Sequence, residues 1–158
     1  MIVQYFLTDG TIPLLLLAFL CGALIGLERE FFSHSCGIRP CVLVAIGAAA
    51  FGDLTVTRIP DANWGNAFGA VVTGVGFLGA GAILKQDALH NVRGLSTAAT
   101  IWVVAIIGLL VGAREVLGGL TLTVLVLLVN VLLRPLARHL ARRIPPPAEA
   151  ATDRVMEG

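Results

Sequence analysis

A chain of 158 residues has room for one domain. Apolar residues make up 57% of it and charged residues 13%, with a mean hydropathy of +0.91, whereas a soluble domain carries roughly 25% charged residues. This balance excludes an ordinary soluble fold, and a formal net charge of +1 gives no basis for a nucleic-acid partner.

Five stretches are free or nearly free of charge: residues 10–27, 40–57, 62–84, 94–113 and 116–133. Each approaches the roughly 20 residues that a helix needs to cross about 30 Å of hydrocarbon. The expected fold is therefore all-α, a polytopic membrane bundle of about five transmembrane helices. The first stretch opens on Thr11-Ile12-Pro13, an N-cap candidate ahead of a proline tolerated in the first helical turn. The second contains the one acid inside a span, Asp53. The third carries Gly65, Gly69, Gly74, Gly76, Gly79 and Gly81 without a charged side chain between them. Ser96 and Thr97 offer caps to the fourth, and Arg134-Pro135 closes the fifth, or at least its apolar part. Residues 1–137 are expected to form the membrane domain. Residues 138–158, with Arg142-Arg143 ahead of Pro145-Pro146-Pro147, read as a basic and then disordered cytoplasmic tail.

With five spans the termini lie on opposite sides, and the basic residues divide unevenly. Arg29, Arg39, Lys85, Arg93 and the five arginines from Arg134 onward share one side, whereas only Arg58 and Arg114 fall on the other. Positively charged segments stay cytoplasmic, so the N-terminus is expected outside and the C-terminus inside. No basic residue precedes the first span, and Leu20 directly before Cys21 argues against lipoprotein cleavage, so no cleavable signal is expected. Cys21, Cys36 and Cys41 fall in the membrane or on the predicted cytoplasmic side, where thiols stay reduced. With His34 two of them make an incomplete zinc set, since a structural site normally has four ligands. Small buried thiols are the favoured reading, and no metal or cofactor is expected.

Gly74-Val75-Gly76-Phe77-Leu78-Gly79 matches the dinucleotide fingerprint G-x-G-x-x-G letter for letter. Its context refutes a nucleotide site, because no strand precedes the glycines and residues 94–113 carry no acid. A second reading makes residues 73–77 unwound backbone lining an ion path. The favoured reading is a continuous helix whose glycines let other helices approach, where no hydrophobic effect drives helix association. Exposed glycine ridges need another helix. A second copy satisfies that need, as do spans 1 and 4 internally, through Gly22 with Gly26 and Gly108 with Gly112.

Ionisable and hydroxyl residues gather at the predicted cytoplasmic face: Glu28, Arg29, Arg39, Asn91, Arg93, Ser96, Thr97 and Thr100. Glu28 lies where span 1 leaves the apolar core and calls for a cation, with Arg39 and Arg93 as candidates. Thr97 and Thr100 share a helical face, directed at this cluster or bonding back to their own helix. Interfacial anchoring by snorkelling arginines is the alternative, although anchoring alone needs no acids or hydroxyls. Asp53 lies about 20 Å along its helix from Pro40, toward the outer third of the membrane. Intramembrane acids are candidates for function, and a one-turn shift of the span would place Asp53 at the outer interface.

Four ordered motifs resemble the MgtC/SapB family of bacterial inner-membrane proteins: residues 24–30 (LIGLERE), Gly37-Ile38-Arg39 ahead of residues 43–48, residues 74–81 (GVGFLGAG) and residues 91–102 (NVRGLSTAATIW). The resemblance implies a small multi-pass bundle associated with magnesium limitation and, in several pathogens, with virulence inside macrophages. It implies a regulator acting through other membrane proteins, the ATP synthase or an ion transporter among them. By motif position, Glu28, Arg29, Arg39, Asn91, Arg93, Thr97 and Thr100 match the family's recurrent polar positions, and Gly74, Gly76, Gly79 and Gly81 its packing motif. Better-known virulence members continue into a soluble ACT-like domain, and the chain is expected to be a short form without it. Pro40 stands where a hydroxyl residue is common, Asp53 where an uncharged residue is expected, and Gln86 to His90 make a slightly longer loop.

The expected function is thus non-enzymatic. His34, His90 and His139 are scattered without a paired nucleophile. The alternative is a direct carrier or channel for Mg²⁺ or a small solute, which would need carboxylate or carbonyl oxygens along its route.

Overall fold

A computed structural model describes residues 10–32, 36–58, 64–84 and 94–141. They form five helices: α1 (Thr11–Phe31), α2 (Ile38–Arg58), α3 (Trp64–Leu84), α4 (Leu95–Gly112) and α5 (Val116–Ala141). All five are long and apolar enough to cross a membrane, and the described residues include no strand. A helix satisfies its backbone polar groups internally, which hydrocarbon requires of any spanning segment. Leu16, Phe19, Leu20, Leu24, Phe77 and Leu117 are exposed on the helices. In water that much apolar surface would be an aggregation liability, and against lipid it is the expected face.

The chain divides after Leu127. In the first unit, α1 runs against α2, and α4 runs parallel to α2, because Thr11 and Asp53 meet at one end while Arg29 and Ser96 meet at the other. Two small-residue ridges converge on α2. A Cβ on Gly22 or Gly26 of α1 would strike the backbone of Cys41, Val42 or Ile38. A Cβ on Gly108 or Gly112 of α4 would strike the carbonyls of Ala45 and Ala49, and one on Gly52 would strike that of Leu109. Glycine is required at these positions because backbone meets backbone there, the geometry that small-xxx-small spacing permits. Around the seams lie Ala18, Cys21, Ile25, Ala45, Ala49, Val104, Ala105 and Ile107, all buried. Leu122, Val126 and Leu127 of α5 pack against this core. In the second unit α5 continues with Leu128, Val129, Val131, Leu132 and Leu133 exposed and stays helical past Pro135. Arg134-Pro135 therefore closes the apolar part only, since a proline costs the helix one backbone donor without obliging the chain to leave it.

The glycine-rich α3 is not the central helix of the chain. Only 11% of its span is buried, against 56% of that of α4. Among the described residues nothing lies within 4 Å of where a Cβ on Gly69, Gly74, Gly76 or Gly81 would stand, whereas one on Gly79 would meet Ala98 of α4 at 3.5 Å; Gly65 is exposed. The helix is continuous through residues 73–77, as expected for a packing element and not for an unwound filter.

Both expected hydroxyl caps are replaced. Gly10 (φ 72°) and Gly94 (φ 95°) occupy the N-cap positions of α1 and α4 in left-handed conformations, which glycine adopts without steric cost. Thr11 and Ser96 thus lie inside their helices, with their hydroxyls turned to distant partners.

Candidate functional sites at the two ends of the bundle

One end is organised by Asp53. It lies in the last two turns of α2 with 1% of its surface exposed. The Thr11 hydroxyl donates to its Oδ2 at 2.7 Å, and the Arg114 guanidinium donates to its Oδ1 at 3.2 Å. The start of α1, the end of α2 and the turn after α4 are thereby tied to one carboxylate. Arg114 is also the one non-glycine residue with positive φ among those described, at 69°. Its amide donates to the Val111 carbonyl and that of Glu115 to the Leu110 carbonyl, the paired bonds of a left-handed helix stop. Glycine is the usual residue there. Arginine accepts roughly 1–2 kcal/mol of backbone cost at such a position, and in exchange its side chain reaches the buried acid. Asp53 is therefore paired near the start of α1, the end of α2 and the turn after α4, and is not an isolated acid within its span.

The opposite end holds the polar cluster. Arg29, in the last turn of α1, is 2% exposed and donates to Ser96 Oγ at 3.0 Å in the first turn of α4. Thr97 and Thr100 are buried beside it on α4, and the Thr100 hydroxyl donates to the Ser96 carbonyl at 2.8 Å. Of the two roles open to the threonines, Thr100 thus takes the local one. Glu28 is half-buried and Arg39 is exposed on the first turn of α2. Glu30 Oε2 accepts from the Ile38 amide at 3.4 Å, placing a carboxylate at the N-terminus of α2, where the helix dipole favours negative charge. Asn91, Arg93, Lys85, His34 and His90 lie outside the described residues, as does the tail from Arg142.

Between α1 and α2 lies a thiol pair. Cys36 and Cys41 are both buried, with their sulfurs 3.2 Å apart. The hydrogen bond with Cys41 lowers the Cys36 thiol below its usual pKa; burial opposes this and the nearby Arg29 charge assists it. No group of three or more His, Cys, Asp or Glu side chains that would hold a metal occurs among the described residues.

Five apolar helices with a buried polar tie at each end define a multi-pass helical membrane protein. The family model described as MgtC family matches residues 15–139, and the chain belongs to that family. Protein MgtC of Salmonella typhi is 44% identical over 136 residues, which cover 86% of this chain and 57% of the relative. Protein MgtC of Brucella abortus (strain 2308) is 45% identical over 123 residues, covering 78% and 51% respectively. The chain thus spans a little over half the length of these relatives. No solved structure matches it.

Proposed function

We propose that this protein is a non-enzymatic regulator of the bacterial inner membrane, linked to magnesium homeostasis and the adaptation to low Mg²⁺ that the family resemblance implies. It acts by seating a helix of a partner membrane protein on α3. The carrying observation is the division of labour among glycines. The chain closes its own seams with Gly22, Gly26, Gly52, Gly108 and Gly112, while Gly69, Gly74, Gly76 and Gly81 meet no other helix among the described residues. In water each helical glycine costs roughly 1 kcal/mol relative to alanine, and in a bilayer that cost is offset where a second helix packs on the small-residue ridge. An ATP synthase subunit or an ion transporter is the partner class that the resemblance implies. The orientation belongs to the same proposal: N-terminus outside, polar cluster of Glu28, Arg29 and Thr97 facing the cytoplasm. A C-terminal reporter active only outside the cytoplasm contradicts it.

Crosslinking and co-purification from native membranes under magnesium limitation test the partner. The expected result is recovery of a specific membrane protein with the wild-type chain and at least a tenfold loss with Gly69→Leu or Gly76→Leu. Recovering no partner, or equal recovery with these variants, overturns the reading.

A further inference from the structure

We propose that Cys36 and Cys41 are a peroxide-reactive dithiol that closes into a disulfide across the start of α2. The inference is independent of the proposed function and rests on the placement of the two sulfurs.

Their separation of 3.2 Å is closer than ordinary sulfur–sulfur contact, and a disulfide needs only about 1.2 Å of further approach to reach its bond length near 2.05 Å. The two residues differ in the element that carries them. Cys41 is fixed within α2, where its carbonyl and Cβ lie against Gly22 and Gly26 of α1. Cys36 precedes the helix, in the connection from α1, so closing the bridge asks for no change within the helical backbone that forms the α1–α2 seam.

The chemistry is asymmetric in the same sense. The thiolate is the nucleophile in thiol oxidation. Cys36 is the thiol biased toward that form, by the Cys41 hydrogen bond and then by the Arg29 charge, against its burial. Hydrogen peroxide is the oxidant. The Cys36 thiolate attacks one peroxide oxygen, the O–O bond breaks and hydroxide leaves, taking up a proton to become water; Cys36 is then a sulfenic acid. The Cys41 sulfur attacks the Cys36 sulfur, the S–O bond breaks, and the Cys41 proton leaves with the hydroxyl as a second water. Two thiols are oxidised and one peroxide is reduced to two waters. The reaction replaces an ionisable thiol beside Arg29 with a neutral bridge, next to the contact of Arg29 with Ser96 on α4.

The test uses the full chain in native membrane vesicles, treated with hydrogen peroxide, denatured in detergent and labelled with a polyethylene glycol maleimide that counts free thiols. Without peroxide the chain takes three labels, one for each free cysteine. After peroxide it takes one, at Cys21, and dithiothreitol restores three. In Cys41→Ser, whose hydroxyl replaces the thiol beside Cys36, peroxide leaves a Cys36 sulfenic acid that dimedone traps; where that variant fails to accumulate, dimedone added with peroxide to the wild-type chain labels Cys36 and not Cys41. In Cys36→Ser, Cys41 keeps its label. Retention of all three labels after peroxide, loss of the Cys21 label at the same rate, or covalent dimers in place of the intramolecular bridge overturns the proposal, as does loss of the Cys41 label in Cys36→Ser.

Discussion

Gly112→Ala and Gly108→Ala are expected to lower stability in detergent by about 1–3 kcal/mol each, the usual range for overpacking a filled core, while Gly76→Ala and Gly81→Ala are neutral or stabilising by up to about 1 kcal/mol. The contrast follows from what each new Cβ meets. On Gly112 it would run into the Ala49 carbonyl and Cα, and on Gly108 into the Ala45 carbonyl and the Ala48 Cβ. These are backbone atoms or the stub of a side chain on a rigid helix, so no rotamer change relieves the overlap and α4 must move away from α2. That separation also opens the packing of Val104, Ala105 and Ile107, which the same seam buries. On Gly76 and Gly81 the Cβ meets nothing among the described residues, and only the helix-propensity gain remains. Thermal unfolding of the purified variants, followed by circular dichroism, measures both arms. Equal destabilisation of all four variants would contradict the assignment of the seams.

Asp53→Ala is expected to cost about 1–3 kcal/mol, chiefly through the buried Thr11 hydroxyl that loses its acceptor. Removing one member of a fully buried ion pair costs more, but Arg114 is 45% exposed, so water takes over its guanidinium and the ion pair itself contributes about 0–1 kcal/mol. Asp53→Asn keeps an acceptor for Thr11 and is expected to cost less than the alanine variant. Thr11→Val, which keeps the shape and removes the donor, approaches the alanine value. Unfolding measurements on the three variants separate hydrogen bond from charge. An Asp53→Asn loss equal to that of Asp53→Ala would show that charge dominates, against the exposure of Arg114.

Much of this architecture is legible in the sequence, and what is not follows a physical pattern. The five helices can be read because a run of about 20 apolar residues has few alternatives to a spanning helix. The glycine spacings Gly22/Gly26 and Gly108/Gly112 are equally visible, yet spacing defines a ridge and not its partner. Both ridges meet α2, while the denser glycine run of α3 draws attention in the sequence and contributes little within the chain. The hydroxyl caps mislead for a related reason. Thr11 and Ser96 have the chemistry of caps, but each hydroxyl is taken by a residue more than 40 positions away, and glycines beside them supply the left-handed turn. The tie between Asp53 and Arg114 is only partly within reach, since the topology leaves Arg58 and Arg114 as the cations on that side but offers Asp9, Asp61 and Glu115 as well as Asp53 for them to pair with. The Cys36–Cys41 contact is out of reach, because its first member lies in a connection whose path no periodicity describes.

The ionisable groups bear on transport in the same way. Asp53 and the cluster of Glu28 and Arg29 sit at opposite ends of a bundle whose interior is lined by Ala18, Ile25, Ala45, Ala49, Val104 and Ala105. Hydrated Mg²⁺ dehydrates reluctantly and requires oxygen ligands, so an apolar interior of this kind favours a regulator over a carrier. The most direct measurement is Mg²⁺ flux into proteoliposomes holding the purified chain. The regulatory account predicts a rate equal to that of protein-free liposomes; flux well above it that Asp53→Asn or Glu28→Gln abolishes would contradict the account and make the protein a transporter.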